Sequence, residues 1–367
     1  PSRMSSPLSS PPRAGSVLRL LGVGFGIAVA LGGTLGVGIL RAPGIVARHL
    51  PDERWMLVAW LGGGLYAFIG TLCVIELGTS VPRTGGWYVF AREAFGDFFG
   101  FVVGWSFWLS MASALGYASI VLGEYLALLV PAAQGRGPQI GFAVLAGLLL
   151  FQLVGLRPVA KFQQGIGLLK GAAFLVLVVA CLFFAPGRSA APAGVMPSGW
   201  LLLPAIVLAL QAIIKTYDGW QTPFCFTEED RDPARNLPRA MLIGTATIMV
   251  IYLGVNVALL RVLTVPEIAA STLPDADGYA RLFGSWGGRI VTGLAALNIA
   301  GLLSTLFLAA PRVLFAMARD GLFFQRAAQV DTRGVPRFSV LFSGGAGLLM
   351  IAFSGSFERI FALSAFM

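Results

Sequence analysis

The sequence predicts an all-α integral membrane protein with about ten spans, on three observations. Hydrophobic residues make up 57% of its 367 positions and charged residues only 12%, where a water-soluble domain carries about a quarter. Runs of about 18 or more apolar residues recur, the length that crosses a hydrocarbon core of ~30 Å. The polar remainder gathers between those runs. A chain so poor in ionic groups cannot cover a water-facing surface, and its spans must be helical because the bilayer core offers backbone groups no water.

The leader PSRMSSPLSSPPRAGS is Ser/Pro-rich and reads as a disordered cytoplasmic segment over 1–17; it lacks a signal-peptide pattern. From there a single transmembrane domain is expected, with spans at roughly 18–40, 55–79, 97–129, 139–155, 162–185, 199–226, 238–262, 286–318 and 338–355. A tenth begins near 357 and stops inside the membrane, so a fragment of a longer chain is expected. With the N-terminus inside, fifteen Lys and Arg fall on the cytoplasmic side and nine outside, while Lys170 and Lys215 lie within spans. This bias favours a cytoplasmic N-terminus. It also explains the net charge of +9, since the basic residues form no continuous face for nucleic acid. Cys73, Cys181 and Cys225 each lie in apolar segments, which suits buried thiols. No His/Cys/carboxylate spacing suits a metal, and nothing indicates an organic cofactor.

The third and eighth spans are each about 33 residues long and hold the same ordinal place in two groups of five. Repeat one covers about 18–185 and repeat two about 199–367, the latter incomplete. An odd number of spans per half forces opposite orientations, and paired broken helices in inverted repeats mark transporters. In the first span Gly32, Gly33, Gly36 and Gly38 fall within seven residues, before Pro43-Gly44. Unwinding here would free the amides of Gly36, Val37 and Gly38 for a carboxylate. The same glycines also suit close helix packing. In the sixth span Lys215, Asp218, Gly219 and Pro223 coincide at mid-depth. Intramembrane charges cost roughly 2.5–3.5 kcal/mol each and mark function. Proline with glycine favours a break, and a neutralising Lys215–Asp218 pair at i,i+3 is the competing account.

GVGILRAPG at 36–44, ELGTSVPRTGGWYVFAREAFG at 76–96, YDGW at 217–220 before EEDRDPARNLPRAM at 228–241, and AMARDGLF at 316–323 with VPRFSV at 335–340 resemble the amino acid–polyamine–organocation transporter superfamily. The resemblance covers about 18–340. It implies the five-plus-five inverted-repeat fold of sodium-coupled leucine-type transporters, with broken first and sixth helices. It implies a substrate α-carboxylate on the amides of Gly36, Val37 and Gly38, and an α-ammonium on carbonyls near Thr34 and at Lys215 and Asp218. Lys170 stands where a family lysine takes the place of a sodium ion, with Ser304 or Thr305 in reach; as a buried lysine it is a candidate proton-coupling group, and snorkelling is the alternative. Lys215 replaces the family's aromatic gate and favours an acidic side chain or a weakened transporter. Tyr217 and Trp220 flank the break, either shaping the pocket or packing the core.

Other polar residues have modest roles. Glu76 and Glu124 read as interfacial carboxylates, Asn256 and Asn298 as bridges between helices, and Glu228, Glu229 and Arg231 as a network at the cytoplasmic helix end. The functional expectation is secondary active transport of an amino acid by alternating access, through proton symport or exchange, in the plasma membrane. Polyamine or other amine transport and a non-transporting sensor are the alternatives. A channel would need a polar pore or carbonyl filter, and an enzyme a metal cluster or nucleophile–His pairing; neither pattern is present.

Overall fold

Helix is the dominant regular structure in the computed structural model, which describes residues 18–36, 38–184, 194–271, 273–354 and 359–360. In chain order the helices are α1 (Val23–Thr34), α2 (Gly38–His49), α3 (Glu53–Ser80), α4 (Trp87–Phe95), α5 (Asp97–Leu129), α6 (Gly137–Gln152), α7 (Leu156–Phe184), α8 (Leu202–Tyr217), α9 (Pro233–Val262), α10 (Val265–Ala270), α11 (Pro274–Phe283), α12 (Ser285–Arg319) and α13 (Arg337–Ser354). Among the described residues seven spans pass the length and apolarity needed to cross a bilayer, and the α1–α2 pair, bent by 48°, makes an eighth. Between them they carry eight of the nine complete spans expected. The remaining one, α6, is apolar but only 16 residues long, short for a hydrocarbon core that takes about 20. The leader, the amide at Val37 and the start of a tenth span lie outside the described residues.

Local chemistry sets the ends. Asp52 caps α3, its carboxylate accepting from the amides of Arg54 and Trp55 at 2.9 and 3.1 Å; those donors have no partner within the helix. The first span runs on to His49 rather than stopping near 40, because the chain re-enters helix after its glycines. Three helices were not foreseen: α4, α10 and α11. Each is too short and too polar for the apolar-run criterion. Here α4 follows the Gly85–Gly86 turn, and α10 begins with a capping box in which Thr264 and Glu267 bond reciprocally.

The long helices α5 and α12, of 33 and 35 residues, pack along each other at the centre, with α6 and α13 against α5. The α5–α6 seam is made of small residues. A Cβ on Gly123 would stand 2.0 Å from the Gly137 carbonyl oxygen, and one on Gly141 would stand 2.4 Å from that of Ser119. Close backbone approach replaces the hydrophobic driving force that lipid removes. Gly123→Leu is therefore expected to abolish the monodisperse peak in size-exclusion chromatography in detergent. Gly147→Leu, at a site with nothing within 4 Å, should elute as the parent does. Equal profiles for the two variants would refute this seam.

Candidate functional site

Two interrupted spans meet back to back. α1 stops at Thr34, and α2 starts at Gly38. α8 stops at Tyr217, after which Gly219 adopts φ +118° and a 3-10 stretch covers Thr222–Glu229. A Cβ on Gly219 would lie 2.5 Å from the carbonyl of Gly33, and one on Gly33 would lie 2.9 Å from the Gly219 oxygen. Only glycine fits both the dihedral and the contact. Both readings of the glycines are seen: the helix breaks after Thr34, and Gly32 and Gly33 sit at close contacts, a Cβ on Gly32 standing 2.3 Å from Gln163 and Thr305.

One hydroxyl ties the breaks together. Tyr252 of α9 is fully buried, and its hydroxyl lies 2.8 Å from the Thr34 carbonyl and 3.1 Å from that of Thr216. Both carbonyls have lost or are losing their helical partners, so this phenol replaces part of each ladder. It stands in an aromatic cluster with Trp60 and Tyr217, at centroid distances of 5.8 and 4.9 Å. Tyr217, which also donates to Trp60 O at 3.4 Å, is thus a core residue beside the break. Trp220 packs over Gly70. Sequence reasoning missed Tyr252, although a tyrosine in an apolar span needs a hydroxyl partner, and that was a usable signal.

α7 grips α1 twice. Lys170 is wholly buried and does not snorkel: its Nζ donates to Gly32 O at 3.3 Å and to Asn298 O at 3.1 Å. Two turns earlier, Gln163 Nε2 donates to Ala28 O at 3.2 Å and to Thr305 Oγ1 at 2.8 Å. Each side chain therefore holds one α1 carbonyl and one α12 group. The expected contact of Lys170 with Ser304 or Thr305 is not made. The lysine stem crosses α12 at Gly301, where a Cβ would stand 2.8 Å from Lys170 Cδ. Thr305 is occupied by Gln163 and its own Gly301 carbonyl, while Ser304 Oγ is buried without a partner among the described residues.

Lys215 and Asp218 do pair, at 3.3 Å, and the break forms as well; their side chains are 75% and 51% exposed. Gln221 bonds the other Asp218 oxygen at 2.9 Å and accepts from the Gly219 amide at 3.1 Å. Asp218 lies within electrostatic reach of Tyr117 on α5.

A second polar region closes the arginine-rich end of the bundle. Arg312 of α12 and Glu229 form a buried bidentate pair at 2.6 and 2.9 Å, with the guanidinium over Phe226. Glu228 holds Arg319 and receives the Thr84 amide, while Asp320 takes Arg83, Arg92 and the Tyr88 hydroxyl. Arg231 joins only through its backbone amide, to Leu21 O. Other expectations change. Cys73 is exposed, whereas Cys181 and Cys225 are buried. Asn256 bonds Tyr252 O on its own helix, and the Asn298 side chain has no partner among the described residues. Glu76 and Glu124 are exposed. Among the described residues no group of three or more His, Cys, Asp or Glu could hold a metal.

These paired breaks sit in a chain whose residues 24–367 match a family model described as amino acid permease. The chain belongs to the amino acid permease family. It is 28% identical over 354 residues to the serine/threonine exchanger SteT of Bacillus subtilis, covering 95% of this chain and 79% of the relative. It is 27% identical over 346 residues to the human b(0,+)-type amino acid transporter 1, covering 92% and 70%. An uncharacterized transporter of Mycobacterium tuberculosis is 28% identical over 357 residues, covering 95% and 77%. The permease is thus an all-α membrane protein of a transporter family rather than an enzyme family. In it, Tyr252→Phe strips a donor from two buried carbonyls, at a cost of about 1–3 kcal/mol. The variant should unfold earlier in a detergent thermal-shift series, and an unchanged transition would show that these contacts carry no weight.

Proposed function

We propose that this permease is a secondary transporter that moves an amino acid by alternating access, with exchange as the operating mode. The observation that carries the reading is the meeting of the two breaks at Gly33 and Gly219, pinned by Tyr252. Amides at Gly36, Val37 and Gly38, the last of which opens α2, would take the α-carboxylate, aided by the positive end of that helix. The end of α8 at Lys215, Asp218 and Gly219 would take the α-ammonium beside Thr34. Thr34 Oγ1 and Ser304 Oγ, buried with no partner among the described residues, are further groups for a polar solute. The printed names of two relatives, a serine/threonine exchanger and a b(0,+)-type amino acid transporter, favour amino acids over polyamines.

Lys170 has two possible roles here. As a fixed charge it holds Gly32 and Asn298 carbonyls through the cycle. As a proton carrier it would couple uptake to a gradient, a reading favoured by its full burial on carbonyl partners alone. The Arg-rich end, with Arg312–Glu229 and the Asp320 cluster, would face the cytoplasm and hold the inner gate shut, with the N-terminus inside the cell membrane.

Proteoliposomes test both roles with a radiolabelled amino acid panel. Uptake should require unlabelled amino acid inside, and Lys170→Ala should abolish it. Accumulation driven by an inward proton gradient, lost in the same variant, would move the assignment to symport; no uptake in any arm would overturn transport of this class. In the same assay Lys215→Phe should raise uptake of neutral relative to acidic amino acids by severalfold. An unaltered profile would remove Lys215 from the pocket.

A further inference from the structure

At the end of the bundle opposite the arginines, α10 and α11 form a cap over α2. A Cβ on Gly44 would stand 3.0 and 3.1 Å from the carbonyls of Ser271 and Ile268 and 3.2 Å from Pro274. The next residue, Asp275, lies in the first turn of α11 and is fully buried, and neither carboxyl oxygen has a hydrogen-bond partner among the described residues. Buried charges are otherwise paired, and those at the other end of this molecule are. An unpaired carboxylate in such a place would be driven to neutralise rather than remain ionised.

The groups that face it do not supply a countercharge. Tyr279, one turn along α11, and Cys181 of α7 lie together beside it. Of the charges on the neighbouring elements, Arg48 of α2 donates to Gly44 O, Arg289 of α12 lies over Trp286, and Glu267 of α10 is bonded by Arg281, which also donates to Val262 O. That guanidinium holds the Glu267 carboxyl down at about 2. Asp277 is engaged by the Ser271 hydroxyl. Arg41 of α2 and Arg261 of α9 are exposed, and His49 ends α2 half-buried.

We propose that Asp275 is a proton-binding site of this cap: α11 seats on α2 and α12 with Asp275 as the neutral acid, and loss of the proton loosens it. Burial pushes the seated carboxyl well above the usual carboxylate range, whereas the lifted, hydrated acid would titrate near about 3.9. The sign follows. Seating is fully favoured below the lifted value, weakens as pH rises toward the seated value, and is not regained above it. Acid on this face therefore closes the cap, and alkali loosens it. The site is separate from the breaks at Gly33 and Gly219, and its test needs no transport.

Cys181 is the built-in reporter, because it is buried beside Tyr279 under the cap. Purified full-length protein in detergent is labelled with a maleimide at pH 5.5 and pH 8, and modification of Cys181 is read by peptide mass spectrometry. Asp275→Asn mimics the neutral acid and leaves His49 and the thiol unchanged, so the ratio of parent to variant removes their own pH dependence. That ratio should already exceed one at pH 5.5, where the lifted acid is ionised and the seated one is not, and rise by pH 8 about tenfold for each unit by which the seated value exceeds 5.5. A ratio of one at both values overturns the proposal. Should the amide variant fail to fold, the parent alone suffices: hydrogen exchange of the α11 amides, corrected for intrinsic rate, should quicken from pH 5.5 to 8. A flat corrected profile overturns it equally.

Discussion

A helix broken inside hydrocarbon releases backbone donors and acceptors that no water can satisfy, and each orphan costs several kcal/mol. Much of this molecule's polar architecture answers that one cost. The carbonyls of Thr34 and Thr216 are taken by a single phenol, that of Gly32 by Lys170 of α7, and the Gly219 amide by Gln221. Without these partners the breaks at Gly33 and Gly219 would anneal into continuous helix. With them, the unwound turns persist and leave polar backbone facing inward. The glycines permit the break, but remote side chains on α7 and α9 make it stable.

That division explains what could be read from the chain. Spans were legible because the bilayer demands long apolar runs, and both breaks were legible because Gly, Pro and charge coincided in segments that should have been uniform. The partners were harder. Tyr252 and Gln163 occur singly in ordinary-looking spans, and nothing local says which distant carbonyl each will meet. The Lys170 ammonium is buried rather than snorkelling, and its α12 partner lies one to two turns from the expected one because Gly301 opens a passage that only packing reveals. The cap helices α10 and α11 were missed for another reason: short, mixed-polarity helices outside the membrane carry neither an apolar run nor a clear period.

Charge is handled differently at the two ends. At the arginine-rich end Glu228, Glu229 and Asp320 each hold an arginine, and the Arg312–Glu229 pair is dry enough that losing one member would strand the other at a cost of about 3–5 kcal/mol. Such a contact is not graded; it is made or broken as a unit. It joins α12 to the 3-10 stretch that continues the broken sixth span, so it ties one long central helix to a segment beyond the break. At the other end the cap rests on close backbone packing over Gly44, with a lone acid beneath. One end is held by paired charge, the other by packing over an acid that has no partner among the described residues.

The α7 helix connects these observations. Gln163 and Lys170 are seven residues apart and therefore near the same face, and each bridges α1 to α12. A single bridge would act as a pivot, about which α1 could swing. Two bridges, at different heights, resist rotation as well as translation, so α1 leaves only if both let go. The two differ in kind: Gln163 offers neutral donors that a water could replace at little cost, whereas the Lys170 ammonium sits among carbonyl dipoles and would be left buried and unsatisfied. Of the two ties between α1 and α12, the lysine is therefore the costlier to lose and the glutamine the weaker.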